Sequence, residues 1–186
     1  MYFFKPISDE VRMTRLNFHK RSKTVRLVLG SIFACMAAVL QSAGGFLPGV
    51  GYLISPLATA PVLLCSMLSL PIGIITYFLT MLLLLILQPS ELIVFPFTTG
   101  LLGLGIGTSC YFFKKRISII VGGAVLLLLG IMNLLYVFHF PVLGPVVSDS
   151  FSFLTTGMIF LFAFFYSWLW VESGLLIFKR LKGFIP

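Results

Sequence analysis

The sequence predicts an all-α integral membrane protein with six transmembrane helices and with both termini in the cytoplasm. A mean hydropathy of +1.12 and a charged-residue content of only 10% together exclude a soluble domain. The placement of the basic residues then sets the number of spans. All 13 lysines and arginines lie in three clusters, within 5–26, 114–116 and 179–182.

Basic clusters mark the cytoplasmic ends of membrane helices, so each interval between two clusters must contain an even number of spans. The interval 27–113 has room for four spans of roughly 20 residues each, and the interval 117–178 holds two. A single kinked helix over 56–88 would give an odd count and place Lys114 outside, so we reject it. We expect the spans at about 27–46, 55–70, 72–88, 94–113, 117–139 and 153–172.

The chain therefore divides into a basic cytoplasmic segment at 1–26, a membrane domain at 27–178 and a basic cytoplasmic tail at 179–186. The first segment is either a short amphipathic helix on the membrane surface or a solvated tail. The last is basic and amphipathic, and we expect it to turn along the inner surface. The net charge of +8 indicates contact with anionic lipid and not with nucleic acid, which would need a folded, basic soluble surface.

Small residues recur at every fourth position of the first span, at Gly30, Ala34, Ala38 and Ser42. Residues four apart share one face of a helix, so this face is a groove without bulky side chains. In lipid, such a groove lets another helix approach closely, because packing drives helix association there. We therefore predict that Gly30, Ala34 and Ala38 dock a partner helix.

Glycines are frequent in the fourth span. Gly103 and Gly107 form a Gly-x-x-x-Gly pair, which is a common motif at close helix contacts in membranes. We expect this span to pack tightly against a neighbour.

Polar side chains within the spans converge toward the outer half of the membrane, where each is costly unless it has a partner. They predict a small-molecule pocket that opens outward beneath the apolar outer loops 43–54 and 140–152. In the fifth span, Asn133, Tyr136 and His139 are three residues apart and fall within an arc of about 120° on a helix. The candidate substrate-binding residues are Gln41, Tyr52, Glu91, Thr98, Asn133, Tyr136 and His139.

A purely structural role is the alternative for these side chains. Serine and threonine hydroxyls often bond the backbone of their own helix, Asn133 could bond another helix, and His139 could lie at the headgroup interface. Glu172 is expected to anchor the last helix at the inner boundary.

No motif indicates an enzyme. The sequence has no His-Glu-x-x-His zinc site, no Gly-x-Ser-x-Gly elbow and no P-loop. The three cysteines are isolated in apolar segments, where a small buried hydrophobic role is expected. We therefore expect no catalytic residue, no metal and no cofactor.

Three motifs carry a resemblance to a known family. The first span contains Ala34-Cys35-Met36-Ala37-Ala38, an Ala-x-x-x-Ala pattern, and the second begins with Pro56-Leu57-Ala58-Thr59-Ala60-Pro61. The turn Leu70-Pro71-Ile72-Gly73 follows. With six spans in 186 residues, the chain resembles the substrate-binding (S) component of an energy-coupling factor vitamin transporter.

This resemblance implies a vitamin or similar micronutrient bound near the outer face, beneath the first outer loop. It also implies that the alanine face docks a transmembrane coupling subunit carrying two ATPases, in the plasma membrane of a bacterium. Two other classes remain open. One is a structural or assembly subunit without a ligand, and the other is a stand-alone metabolite carrier, against which the absence of a visible repeat counts.

Overall fold

The computed structural model describes residues 8–47, 49–140 and 153–181. Within these ranges, six helical stretches are long and apolar enough to cross a membrane. They confirm the predicted all-α class and the number of spans, and their ends lie within five residues of the expected ones except that the last span continues to Arg180. The stretches are Lys23–Phe46, Gly51–Leu68, Leu70–Leu87, Pro89–Phe112, Arg116–Tyr136 and Phe153–Arg180.

Two of the six spans are interrupted helices. The second span consists of α3 and α4, separated by a 3₁₀ turn that contains Pro56. The fourth consists of α6 and α7, separated by a 3₁₀ turn that contains Pro96. The α-helices of the described residues are α1 (Ser8–His19), α2 (Lys23–Phe46), α3 (Gly51–Ile54), α4 (Thr59–Leu68), α5 (Leu70–Leu87), α6 (Pro89–Val94), α7 (Thr99–Phe112), α8 (Arg116–Tyr136) and α9 (Phe153–Leu181).

The helix α4 lies at the centre of the bundle, and every residue from 61 to 69 is buried. The helix α7 packs directly on it. A Cβ atom added at Gly103 would lie 2.9 Å from the carbonyl oxygen of Thr59, and one added at Gly107 would overlap the side chain of Ser66. The close helix contact predicted for this glycine pair is confirmed, and its partner is α4.

The small-residue face of α2 is covered by α5. Ala34 and Ala38 are 0% exposed, and a Cβ added at Gly30 would lie 2.9 Å from a methyl carbon of Ile72. The hydroxyls of two α5 threonines donate to α2 carbonyl oxygens, across 3.2 Å to Gly30 and across 3.4 Å to Ala34. The prediction that Gly30, Ala34 and Ala38 dock a separate partner is therefore wrong, because α5 of the same chain fills the groove.

Residues 8–19 of the N-terminal segment form the helix α1, and this helix docks on the bundle. Phe18 of α1 is 3% exposed and belongs to the main apolar core. The contacts of α1 with α4 and α7 place it at the end of the bundle where Lys114 lies, which we call the basic end. The last helix also continues through Lys179 and Arg180 without turning at the expected tail.

The turn between α4 and α5 exposes backbone groups that α1 and α7 satisfy. Ser69 has extended backbone angles, so the adjacent helix ends lose intrahelical partners. The Nε–H group of Arg15 donates to the carbonyl oxygen of Met67 across 3.3 Å. The amide of Leu70 donates to the hydroxyl of Tyr111 across 2.8 Å, and the Arg15 guanidinium lies 3.4 Å from the centre of the Tyr111 ring.

We expect Arg15→Ala to lower the free energy of unfolding by about 1–3 kcal/mol, because the carbonyl of Met67 loses its donor and the ring of Tyr111 loses its cation. Lys20→Ala, which removes an exposed charge of the same segment, is the control and should leave the melting temperature unchanged. Thermal unfolding of the purified protein measures both. Equal melting temperatures for the two variants would show that α1 does not cap the turn.

Candidate functional site

Three polar side chains meet at the end of the bundle opposite the basic end, and we call them the polar junction: Gln41, Glu91 and Thr99. The Nε2 amide of Gln41 donates to Oε2 of Glu91 across 2.7 Å. The hydroxyl of Thr99 donates to Oε1 of Gln41, also across 2.7 Å. Gln41 is 1% exposed. The junction therefore joins the first span to both halves of the interrupted fourth span.

The 3₁₀ turn over 95–97 explains how one span supplies two members of the junction. Pro96 has no backbone N–H, so the helix cannot continue regularly through it. The backbone of Thr98 leaves the helical region, with φ −121° and ψ −96°. The chain is thereby redirected between Glu91 in α6 and Thr99 at the start of α7, and both side chains reach Gln41.

Glycines of α2 bring the carboxylate close to the backbone. A Cβ added at Gly44 would lie 2.7 Å from Oε1 of Glu91, and one added at Gly45 would overlap the Gln88 amide. Glu91 is also the only charged residue between Arg26 and Lys114. The junction consequently carries the one carboxylate of an otherwise uncharged stretch of the sequence, and it suits a ligand that donates hydrogen bonds or carries a positive charge.

The structure brings two of the predicted site residues together, Gln41 and Glu91. Thr98 lies next to the junction, but its hydroxyl donates to the carbonyl oxygen of Val94 in its own span, across 2.8 Å. Its neighbour Thr99 supplies the contact instead. Tyr52 is 70% exposed and is not part of the junction.

The three predicted residues of the fifth span do not form one buried face. The helix α8 ends at Tyr136, and His139 beyond it has a positive φ of 52° and is exposed. Tyr136 is half-buried. Asn133 is exposed, and its Nδ2 amide donates to the carbonyl oxygen of Leu129 in the same helix across 2.9 Å. The expected shared arc therefore stops short of His139, because the helix has already ended.

Asn133 instead lines a separate cleft, which we call the lateral groove, with a volume of about 410 Å³. The groove lies between α5 and α8 over the 3₁₀ turn, where the Tyr77 hydroxyl donates to the carbonyl oxygen of Pro96 across 3.0 Å. Its walls are mainly apolar. They comprise Tyr77, Met81, Pro96, Phe97, Leu101, Leu129, Gly130 and Asn133.

Sequence reasoning missed Thr99 as a site residue and did not consider Tyr77. Thr99 differs from its neighbour only in the direction that the 3₁₀ turn gives its side chain. Tyr77 had a visible signal, since it is the one tyrosine in the leucine- and isoleucine-rich run over 70–87.

The first outer loop is shorter than expected, because α2 continues to Phe46 and α3 begins at Gly51. Most of the stretch 43–54, which the sequence predicted to be an apolar loop, is therefore helical. The second apolar loop, with Asp149, falls in 141–152 and lies outside the described residues. No group of three or more metal-ligating side chains occurs in the part of the chain that the structure describes.

The chain matches no protein-family model, no curated protein and no solved structure.

Proposed function

We propose that this multi-pass membrane protein is a substrate-binding subunit for the uptake of a vitamin or similar small micronutrient. The observation that carries the proposal is the polar junction. A carboxylate, a carboxamide and a hydroxyl are held together between membrane helices, at bonds of 2.7 Å. Such groups are costly in a membrane and typically mark substrate sites.

The interrupted spans support the same assignment. Glu91 and Thr99 flank the 3₁₀ turn of the fourth span, and the interruption of the second span lies at the same end of the bundle. Interrupted helices are a frequent feature of transporter binding sites, because they free backbone groups within the membrane. A ligand with hydrogen-bond donors would exchange places with the Gln41 amide on the Glu91 carboxylate.

Energy coupling follows from the resemblance to S components, and it needs a docking surface other than the predicted one. Since α5 covers the small-residue face of α2, a coupling subunit with two ATPases would have to contact a face that stays exposed. One such face of α2 carries Val28, Ile32 and Met36, each about half exposed.

A second candidate is an assembly subunit that binds no small molecule. It is favoured by the fact that Gln41, Glu91 and Thr99 already satisfy one another within the chain. In that case the junction is a clamp between spans, and its removal would cost stability alone. A stand-alone carrier would use the same site without an ATPase.

Native mass spectrometry of the purified protein separates the candidates. We expect a co-purified small molecule that Glu91→Gln releases, with an affinity loss of roughly 5- to 150-fold for about 1–3 kcal/mol. The variant keeps an oxygen that can accept from Gln41, so the melting temperature should change little.

Thr99→Val tests the same site, and Thr108→Val is its matched control. Within the described residues, the hydroxyl of Thr108 bonds the backbone of its own helix, at the carbonyl oxygen of Leu104. Loss of the small molecule with Thr99→Val alone supports a binding subunit. A protein that never carries a small molecule, and that both junction variants destabilise, would establish the assembly subunit instead.

A further inference from the structure

A second cleft opens at the basic end between α7 and α8, and we call it the basic-end groove. Its volume is about 550 Å³. Phe113, Val121, Val125 and Leu126 form much of its apolar wall, and Ser109 and Ser118 contribute hydroxyls. Val125 is 41% exposed, so the groove is open along its side to the surrounding bilayer.

The length of the groove along α8 matches the thickness of the hydrocarbon layer of one membrane leaflet. It extends along α8 from Ile117 to Leu126, and nine steps of 1.5 Å give about 14 Å. Half of a hydrocarbon core of roughly 30 Å is about 15 Å. An extended chain lying in the groove would therefore reach from the headgroup level to the middle of the bilayer.

A glycine lets α7 and α8 approach each other closely at the floor of the groove. Gly122 lies on the floor of the groove, and a Cβ atom added there would overlap the hydroxyl oxygen of Ser109. Any larger residue at position 122 would push α7 and α8 apart or fill the space between them.

The mouth of the groove is positively charged. Lys114 and Lys115 are exposed on the turn that joins α7 to α8, and Lys114 directly follows the wall residue Phe113. The next cation, Arg116, bonds both carboxylate oxygens of Glu172, at 2.9 and 3.1 Å. Glu172 is thus engaged with Arg116, and Lys114 supplies exposed positive charge at the mouth.

We propose that the basic-end groove binds one anionic phospholipid, with an acyl chain along α8 and the headgroup phosphate at Lys114. The apolar wall and the positively charged mouth together favour this ligand. A free phosphate would leave the apolar wall unused, and a zwitterionic lipid would not match the positive mouth. Basic residues at a membrane surface attract anionic lipids, by about 1 kcal/mol for each lysine.

The test uses purified full-length protein and two probes, phosphatidylglycerol and phosphatidylcholine, added in detergent. Native mass spectrometry should show one bound phosphatidylglycerol and a raised melting temperature, with much less effect of phosphatidylcholine. Lys114→Gln should weaken phosphatidylglycerol binding about fivefold, and Val125→Trp should abolish it by filling the groove.

Two matched control variants carry the same types of substitution outside the groove. Lys20→Gln removes an exposed basic residue from α1 and its turn, and Ile86→Trp adds the same indole to a position on α5 that is 80% exposed. Both should bind phosphatidylglycerol as the unaltered protein does. The melting temperature of Val125→Trp without lipid should equal that of Ile86→Trp.

Three results would overturn the proposal. Equal binding of the two lipids would remove the role of the lysine. Competition by millimolar inorganic phosphate would point to an anion site without a chain. Equal losses with Val125→Trp and Ile86→Trp would show nonspecific coating by lipid. None of these outcomes depends on the polar junction, so they leave the proposed function untouched.

Discussion

Gly130→Ala is expected to lower the melting temperature of the purified protein strongly. Gly130 packs in α8 against the 3₁₀ turn of the fourth span, and an added Cβ would overlap the carbonyl oxygen of Phe97. A backbone oxygen cannot rotate away as a side-chain end can, so α8 and the turn must separate. We expect a loss at or above the upper end of the 1–3 kcal/mol that overpacking usually costs.

This loss should outweigh the helix propensity of alanine, which favours it over glycine by about 1 kcal/mol. Gly157→Ala in α9 is the matched control, since a Cβ there meets nothing within 4 Å. It should keep or slightly raise the melting temperature. If Gly130→Ala behaves like Gly157→Ala, α8 does not approach the turn and the lateral groove is not formed as described.

Ala34→Trp should likewise destabilise the isolated protein, although the sequence alone suggested that this position faces a partner. Ala34 is 0% exposed, and its carbonyl oxygen accepts from the hydroxyl of Thr80 in α5. An indole can fit there only if α2 and α5 separate. We expect a loss of about 3 kcal/mol or more, measured as the melting temperature without any partner present.

Cys35→Trp is the control for this variant, because it adds the same side chain one residue further along on an exposed face of α2. Its melting temperature should match that of the unaltered protein. The opposite outcome, with Ala34→Trp stable but unable to capture membrane partners, would restore the docking face that the sequence predicted.

The class of the protein and the number of its spans could be predicted from the sequence, because both depend on the lengths of apolar runs and on the positions of basic residues. A run of apolar residues long enough to cross lipid is a local property. The charges that mark the ends of the helices are also local, so three basic clusters sufficed to favour six spans over five. The convergence of Gln41 and Glu91 could be predicted for the same reason, since topology places both near one end.

Only the tertiary structure decided what each surface meets. Small residues at every fourth position predict a close helix contact. They do not tell whether the partner helix belongs to the same chain, because helices pack in lipid by the same forces within a chain as between chains. In this structure the partner at Gly30 and Ala34 is α5. The two threonines at 98 and 99 look alike in the sequence. A proline-containing 3₁₀ turn rotates the chain between them, so that Thr98 bonds its own backbone and Thr99 bonds Gln41.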